Sequence, residues 1–163
     1  ARRSDATPRR RHRVVAARGA ERPATGEEPT RIPVLVEGAD PGRIMPSPLA
    51  IRDTLLVDPA LVHDHDPSRL FAYEVTMREM RYLRGIAAPG DRIVFRRGGP
   101  VAPDRVCAVR TPWGIVLSRV RFKGRSLLLL PGAGRRGVDA VGVDDLRALR
   151  GIIAGTHVLL IQR

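Results

Sequence analysis

Few side chains in this chain have both the type and the spacing to do chemistry. His63-Asp64-His65-Asp66 alternates imidazole and carboxylate ligands, yet a run ending at Pro67 suits a solvated turn better than a metal site. Gly132-Ala133-Gly134-Arg135-Arg136-Gly137 spells G-x-G-x-x-G after a leucine run. With no amphipathic helix after it and no βαβ unit around it, a flexible loop is expected there, not a dinucleotide cradle. Cys107 is the single cysteine, which excludes an internal disulfide and a cysteine zinc cage. Its neighbours Val106, Ala108 and Val109 mark it as a small core residue. Lys123, the one lysine, sits beside Gly124 in a predicted turn, a poor place for a buried amine base. Glu79, in Val75-Thr76-Met77-Arg78-Glu79-Met80, is an isolated acid without the second carboxylate or metal that hydrolysis normally needs. No cofactor and no metal are expected.

The elements that must position these residues are mostly strands. Short apolar runs punctuated by glycine and proline predict strands at Thr54–Val57, Phe71–Val75, Arg92–Phe95, Val106–Val109, Ile115–Phe122, Ser126–Leu130 and Val158–Ile161. Turn signals between them are Pro89-Gly90, Gly98-Gly99-Pro100, Pro112-Trp113-Gly114 and Lys123-Gly124. The two runs flanking Lys123-Gly124-Arg125 read as an antiparallel hairpin. Helical stretches are plausible only at Met77–Leu83 and at Val143–Leu149, where Asp144 and Asp145 suit a helix N-terminus. So many strands in so short a chain predict a mainly β protein with strongly coiled, partly barrel-like antiparallel sheets and one or two short helices. Trp113 is expected as a turn residue packed on the sheet, or as a contact anchor.

Charge divides the chain differently. The 163 residues carry a formal net charge of +12, and Arg2, Arg3, Arg9, Arg10, Arg11, Arg13 and Arg18 face a single acid, Asp5, in the first twenty positions. Residues 1–31 have no hydrophobic periodicity and are expected to be a disordered basic arm or linker, able to attract polyanions at low salt. The first apolar cluster, Ile32-Pro33-Val34-Leu35-Val36, opens a single domain over residues 32–163. No apolar run approaches the ~20 residues of a membrane span, so no membrane partner is expected. The start at Ala1 suggests a segment upstream.

The order Ile32-Pro33, Ala39-Asp40, Val75 through Met80, Gly90-Asp91, Leu117-Ser118-Arg119-Val120, Leu127–Leu130 and Leu149 through Gly155 resembles the self-cleaving peptidase domain of the LexA, phage CI repressor and UmuD family. In that family a serine, activated by a buried neutral lysine, attacks an Ala-Gly bond. The resemblance puts Glu79 at the serine position and Ser118 at the lysine position. Ala39-Asp40 stands at the scissile pair, and Met77 where the motif has glycine. A hydroxyl is no general base near neutral pH, and loss of nucleophile and base together leaves background hydrolysis. Glu79 and Ser118 are therefore degenerate dyad positions, hydrogen-bonded to each other or, for Glu79, to Arg78, Arg81 or Arg119 along a vestigial cleft. Exchanged roles, with Ser118 as nucleophile and Glu79 as base, would demand too much of a carboxylate with a pKa of ~4.3.

The resemblance implies a catalytically inactive C-terminal domain acting as a dimerisation or regulatory module of a transcriptional regulator in bacterial or phage cytoplasm. DNA would be read through an upstream domain, assisted by the arm at Arg2, Arg3, Arg9, Arg10, Arg11 and Arg13, with a regulatory protein partner also possible. Dimerisation would join two weak DNA-reading heads and add avidity. Two alternatives follow from the same residues. One is a divergent serine peptidase that cleaves itself after Ala39; the other is a protein-binding module that uses the vestigial cleft.

Overall fold

The computed structural model describes residues 14–16, 28–42, 46–134, 136–142 and 153–162. The predicted helix at Val143–Leu149 and the arm arginines from Arg2 to Arg13 lie outside them. The protein is mainly β. Ten strands are described: β1 (Val14–Ala16), β2 (Thr30–Leu35), β3 (Ile51–Val57), β4 (Leu70–Glu74), β5 (Arg92–Arg96), β6 (Val106–Thr111), β7 (Gly114–Lys123), β8 (Ser126–Leu130), β9 (Asp139–Gly142) and β10 (Ile153–Gln162). Two four-residue helices, α1 (Pro59–Val62) and α2 (Met80–Leu83), accompany them. No helix among the described residues is long and apolar enough to cross a membrane.

The strands follow the order β3-β2-β4-β5-β10-β6-β7-β8-β9, a path that ends at β3 and β9 without closing into a barrel. Its centre is β10. The first part of β10 pairs antiparallel with β6, and from Thr156 onward it pairs with β5, with register breaks on both ladders. A strand that changes neighbours along its length joins two half-sheets and coils them about itself. Beyond the β6 pairing, Leu160 to Gln162 take up β1 in parallel on the remaining edge. β2 and β4 also pair in parallel, so the predicted antiparallel sheet carries two parallel ladders. β1 falls inside the arginine-rich segment, and β2 begins at Thr30, two residues before the first apolar cluster.

Alternation along the strands explains why the sheet is buried on both faces. Phe71, Tyr73, Ile93, Phe95, Val106, Ala108, Ile115 and Leu117 point to a core shared by the two half-sheets. Their neighbours Leu70, Ala72 and Val94 join Ile32, Val34 and Val62 of α1 on the far side of the first half. On the far side of the second half, Cys107, Val109, Val116, Val120, Leu127 and Leu129 pack with Tyr82 of α2. Each large apolar side chain so buried stabilises the fold by ~1.5–3 kcal/mol. In the shared core the Phe71 and Phe95 rings stack at 5.7 Å, with Tyr73 edge-on to both. Gly155 of β10 lies against them, and a Cβ there would meet Phe71 Cζ at 2.5 Å.

Burial of Cys107 has a titration consequence. Desolvation pushes its thiol up to about 12, so the folded state disfavours the thiolate. A group whose folded pKa is raised contributes stability fully below its unfolded pKa and loses it as pH rises through the folded value. For Cys107 that window runs from pH ~8.5 to about 12. The urea midpoint is therefore expected to fall across it, and less steeply in Cys107→Ala. Equal slopes in the two proteins would exclude the thiol as the source.

Candidate functional site

The backbone after β4 is held in a loop by its two ends. Val75 N–H donates to Asp91 O at 2.7 Å and Gly90 N–H to Val75 O at 2.8 Å. Buried Asp91 also accepts from Ala88 N–H at 2.8 Å. The loop between these ties carries α2 and packs it against β7. Within it, the Glu79 carboxylate accepts from Thr76 N–H at 3.0 Å and from the Thr76 hydroxyl. Thr76 Oγ1 accepts in turn from Arg78 N–H at 3.3 Å. Thr76-Met77-Arg78-Glu79 thus closes a variant of the T-x-x-E capping box, the acid three residues on reaching back to the first backbone N–H. That box accounts for an acid at position 79 on local grounds alone.

Beside Glu79, which is buried, opens a cleft of about 300 Å³ lined by Arg78, Glu79, Arg81, Tyr82, Trp113, Val116 and Asp139. Tyr82 Oη donates to Asp139 Oδ2 at 2.5 Å, and Arg81 Nη2 stands 3.1 Å from the same oxygen. Burial and the Asp139 bond push the Tyr82 hydroxyl up to about 12. Trp113, at the tip of the β6–β7 hairpin, is 58% exposed, so it rims the cleft and does not pack on the sheet.

Ser118 follows Val116 on the same face of β7 by strand alternation, but it is fully buried and does not line the cleft. Its hydroxyl is bonded to backbone carbonyls, Arg119 O at 2.8 Å and Leu130 O at 3.3 Å. The expected Glu79–Ser118 hydrogen bond is not formed, nor is an ion pair of Glu79 with Arg78, Arg81 or Arg119. Arg78 Nη2 donates to Trp113 O at 3.1 Å, Arg81 pairs with Asp139, and Arg119 Nη2 donates to Pro131 O at 3.2 Å. Glu79 is taken up by Thr76 donors before α2 and Ser118 by main-chain acceptors on β7, so the two dyad positions share no bond.

Ala39 and Asp40 lie in a docked segment apart from the Glu79 carboxylate. Ala39 O accepts from the Tyr73 hydroxyl. Asp40 takes a two-pronged bond from Arg110, Nε to Oδ2 at 2.6 Å and Nη2 to Oδ1 at 2.9 Å. That guanidinium holds the Asp40 carboxyl below its ordinary value, helped by Gly42 N–H. Arg97, 6% exposed, reaches from the end of β5 to Pro41 O at 3.2 Å and Ser68 O at 3.0 Å while lying over the Phe71 ring.

The other sequence features resolve into local structure. His63 Nδ1 lies 2.8 Å from Ala60 O, and His65 Nδ1 lies 3.4 Å from Arg96 Nη1. Asp66 caps the short turn at Pro67–Arg69 through Ser68 N–H. In the glycine-rich loop, Gly132 and Ala133 donate to the carbonyls of Arg81 and Arg84, each at 2.8 Å. A Cβ at Gly132 would come within 2.7 Å of Arg84 N, so this glycine serves close backbone packing against α2.

Tyr73, Arg97 and Arg110 were not singled out from sequence, because they meet Ala39, Pro41 and Asp40 across separations of 34, 56 and 70 residues. Thr76 was not singled out either, although T-x-x-E is itself a helix-start signal that could have found it. Fold and site together define a mainly β protein with a coiled sheet, a partly apolar cleft and a docked peptide segment. No family model matches the chain, and no curated protein matches it.

Proposed function

We propose that this domain holds and regulates without cutting: a catalytically inactive, LexA-like or phage-repressor-like module that dimerises and serves a transcriptional regulator. The observation that supports it is the commitment of both dyad positions. The Glu79 carboxylate is engaged by Thr76, and the Ser118 hydroxyl is engaged by two main-chain carbonyls. A serine nucleophile needs an adjacent base and an approach to substrate, and buried Ser118 has neither. The likeness to the repressor family rests on motif order. DNA contact would come through an upstream domain together with the basic arm, and the cytoplasm would be its setting.

Incubation at about pH 10, where a lysine of ordinary pKa loses its proton, followed by intact-mass measurement, is expected to leave the chain whole. Ser118→Ala is expected to match the unmodified protein in a peptide-cleavage assay. A specific break after Ala39 would overturn the non-catalytic reading. Sedimentation should show a dimer, and a monomer at all concentrations would remove the dimerisation role.

A further inference from the structure

Five consecutive residues, Glu37 to Pro41, each meet a donor from a different strand or adjoining loop, and every contact has the same polarity. Arg78 Nη1 stands 3.9 Å from Glu37 Oε1, and Ile115 N–H donates to Gly38 O at 3.3 Å. Tyr73 donates to Ala39 O, Arg110 to the Asp40 carboxylate, and Arg97 to Pro41 O. The receptor side supplies only donors, and the segment supplies only acceptors: three main-chain carbonyls and two carboxylates. Carbonyl contacts tolerate many side chains, whereas carboxylates facing guanidinium groups discriminate. The segment enters through a turn, with Ala39 N–H donating to Val36 O at 3.1 Å and Gly38 at φ 73°.

We propose that this groove is a recognition site for an acidic, turn-forming peptide of Glu-Gly-Ala-Asp-Pro type supplied by a partner protein, and that Glu37–Pro41 occupies it in cis. The proposal takes up the binding-module alternative but centres the site on Tyr73, Arg97 and Arg110, next to the Glu79 cleft, with which it shares Arg78. Charge supports it, since three guanidinium groups face two carboxylates. Leaving the groove empty would take the Pro41 acceptor from Arg97, a cation 6% exposed that donates to Pro41 O and Ser68 O. Exchange of one occupant for another avoids that cost. A glycine at the second position also fits, because Gly38 takes φ 73° and a Cβ there would come within 3.2 Å of Arg78 Nη1. The Asp40 and Arg110 side chains are 51% and 26% exposed, so the grip on the fourth residue is accessible to a competitor.

A tethered segment competes at an effective concentration of order mM, so the unmodified protein should bind such a peptide weakly. Loosening the tether should reveal the site. The experiment is fluorescence anisotropy at low salt with a labelled peptide copying Val36 to Gly42, titrated with the full chain, its Asp40→Asn variant and the Asp40→Asn/Arg110→Gln double variant. Asp40→Asn is expected to tighten binding about tenfold. The double variant should lose that gain, and a peptide carrying Asn for its Asp should bind about tenfold more weakly. Equal affinity for both proteins, or indifference to the peptide's Asp, would overturn the proposal. So would displacement of the peptide by a single-stranded thymidine oligonucleotide as readily as by unlabelled peptide, since that would mark a general polyanion surface. Should Asp40→Asn fail to fold, Glu37→Gln loosens the Arg78 end and carries the same expectation. Equilibrium binding does not depend on whether the chain cleaves itself, so failure here and failure of the non-catalytic reading are separately visible.

Discussion

Phe71→Ala is expected to lower the unfolding free energy by about 3–5 kcal/mol, the range for emptying a buried aromatic position. Phe71 has no exposed surface, stacks on Phe95, meets Tyr73 edge-on and carries the Arg97 guanidinium 5.2 Å from its ring centre. It also fills the space that Gly155 leaves open on β10, at the junction of the two half-sheets. No neighbour is placed to collapse into the gap without moving a strand, so the cost should fall toward the upper end of the range. A domain stable by about 5–15 kcal/mol would lose a large fraction of that margin. Chemical denaturation at neutral pH measures it. A loss below about 1 kcal/mol would mean that this aromatic cluster does not form the centre of the fold.

Glu79→Ala is expected to cost about 2–3 kcal/mol, because a charged acceptor satisfying a backbone N–H and a hydroxyl disappears from a site 4% exposed. Glu79→Gln keeps an acceptor and loses the charge, so it should cost about 1 kcal/mol. Thr76→Ala should couple to Glu79→Ala in a double-mutant cycle, since both remove parts of one box. The result decides the meaning of this acid. If Glu79→Ala is as stable as the unmodified protein, the turn-closing role is wrong. If the loss appears as stated, an acid at position 79 is explained by closure of the Thr76–Glu79 turn that leads into α2.

Much of the sheet was legible because strand signals are local. The hairpin predicted around Lys123-Gly124-Arg125 forms as β7 and β8 with Gly124 at φ 58°, and β7 is buried on both faces from Ile115 to Ser118, where its run is apolar, and exposed from Arg121 to Lys123. The glycine-rich sequence was read as a loop on the lack of a following helix, and its described residues lie outside helix and strand between β8 and β9. Other strands escaped for physical reasons. β9 has four residues, one of them glycine, and β1 has three, so neither carries enough alternation to be seen. β3 starts at Ile51, three residues before its expected start, because most of its residues are exposed and their pattern is not apolar. β10 begins at Ile153, five residues before the predicted start, through Gly155 and Thr156, which have weak strand signals of their own.

The candidate site divides along the same line. Capping, turns and face alternation depend on backbone preferences within a few residues, so the chain by itself determined that Thr76 and Glu79 could close a box and that Cys107 would be core. Which face Ser118 shares with Val116 was likewise set by its place on a strand. Only the tertiary structure decided that Ser118 turns to main-chain carbonyls, and that Glu79 and Ser118 form no bond. It also brought Tyr73, Arg97 and Arg110 from three strand ends onto Ala39, Pro41 and Asp40. The reason is that side-chain bonds across tens of residues depend on which strands become neighbours. That arrangement follows from fitting buried faces together around β10, which no local run of residues encodes.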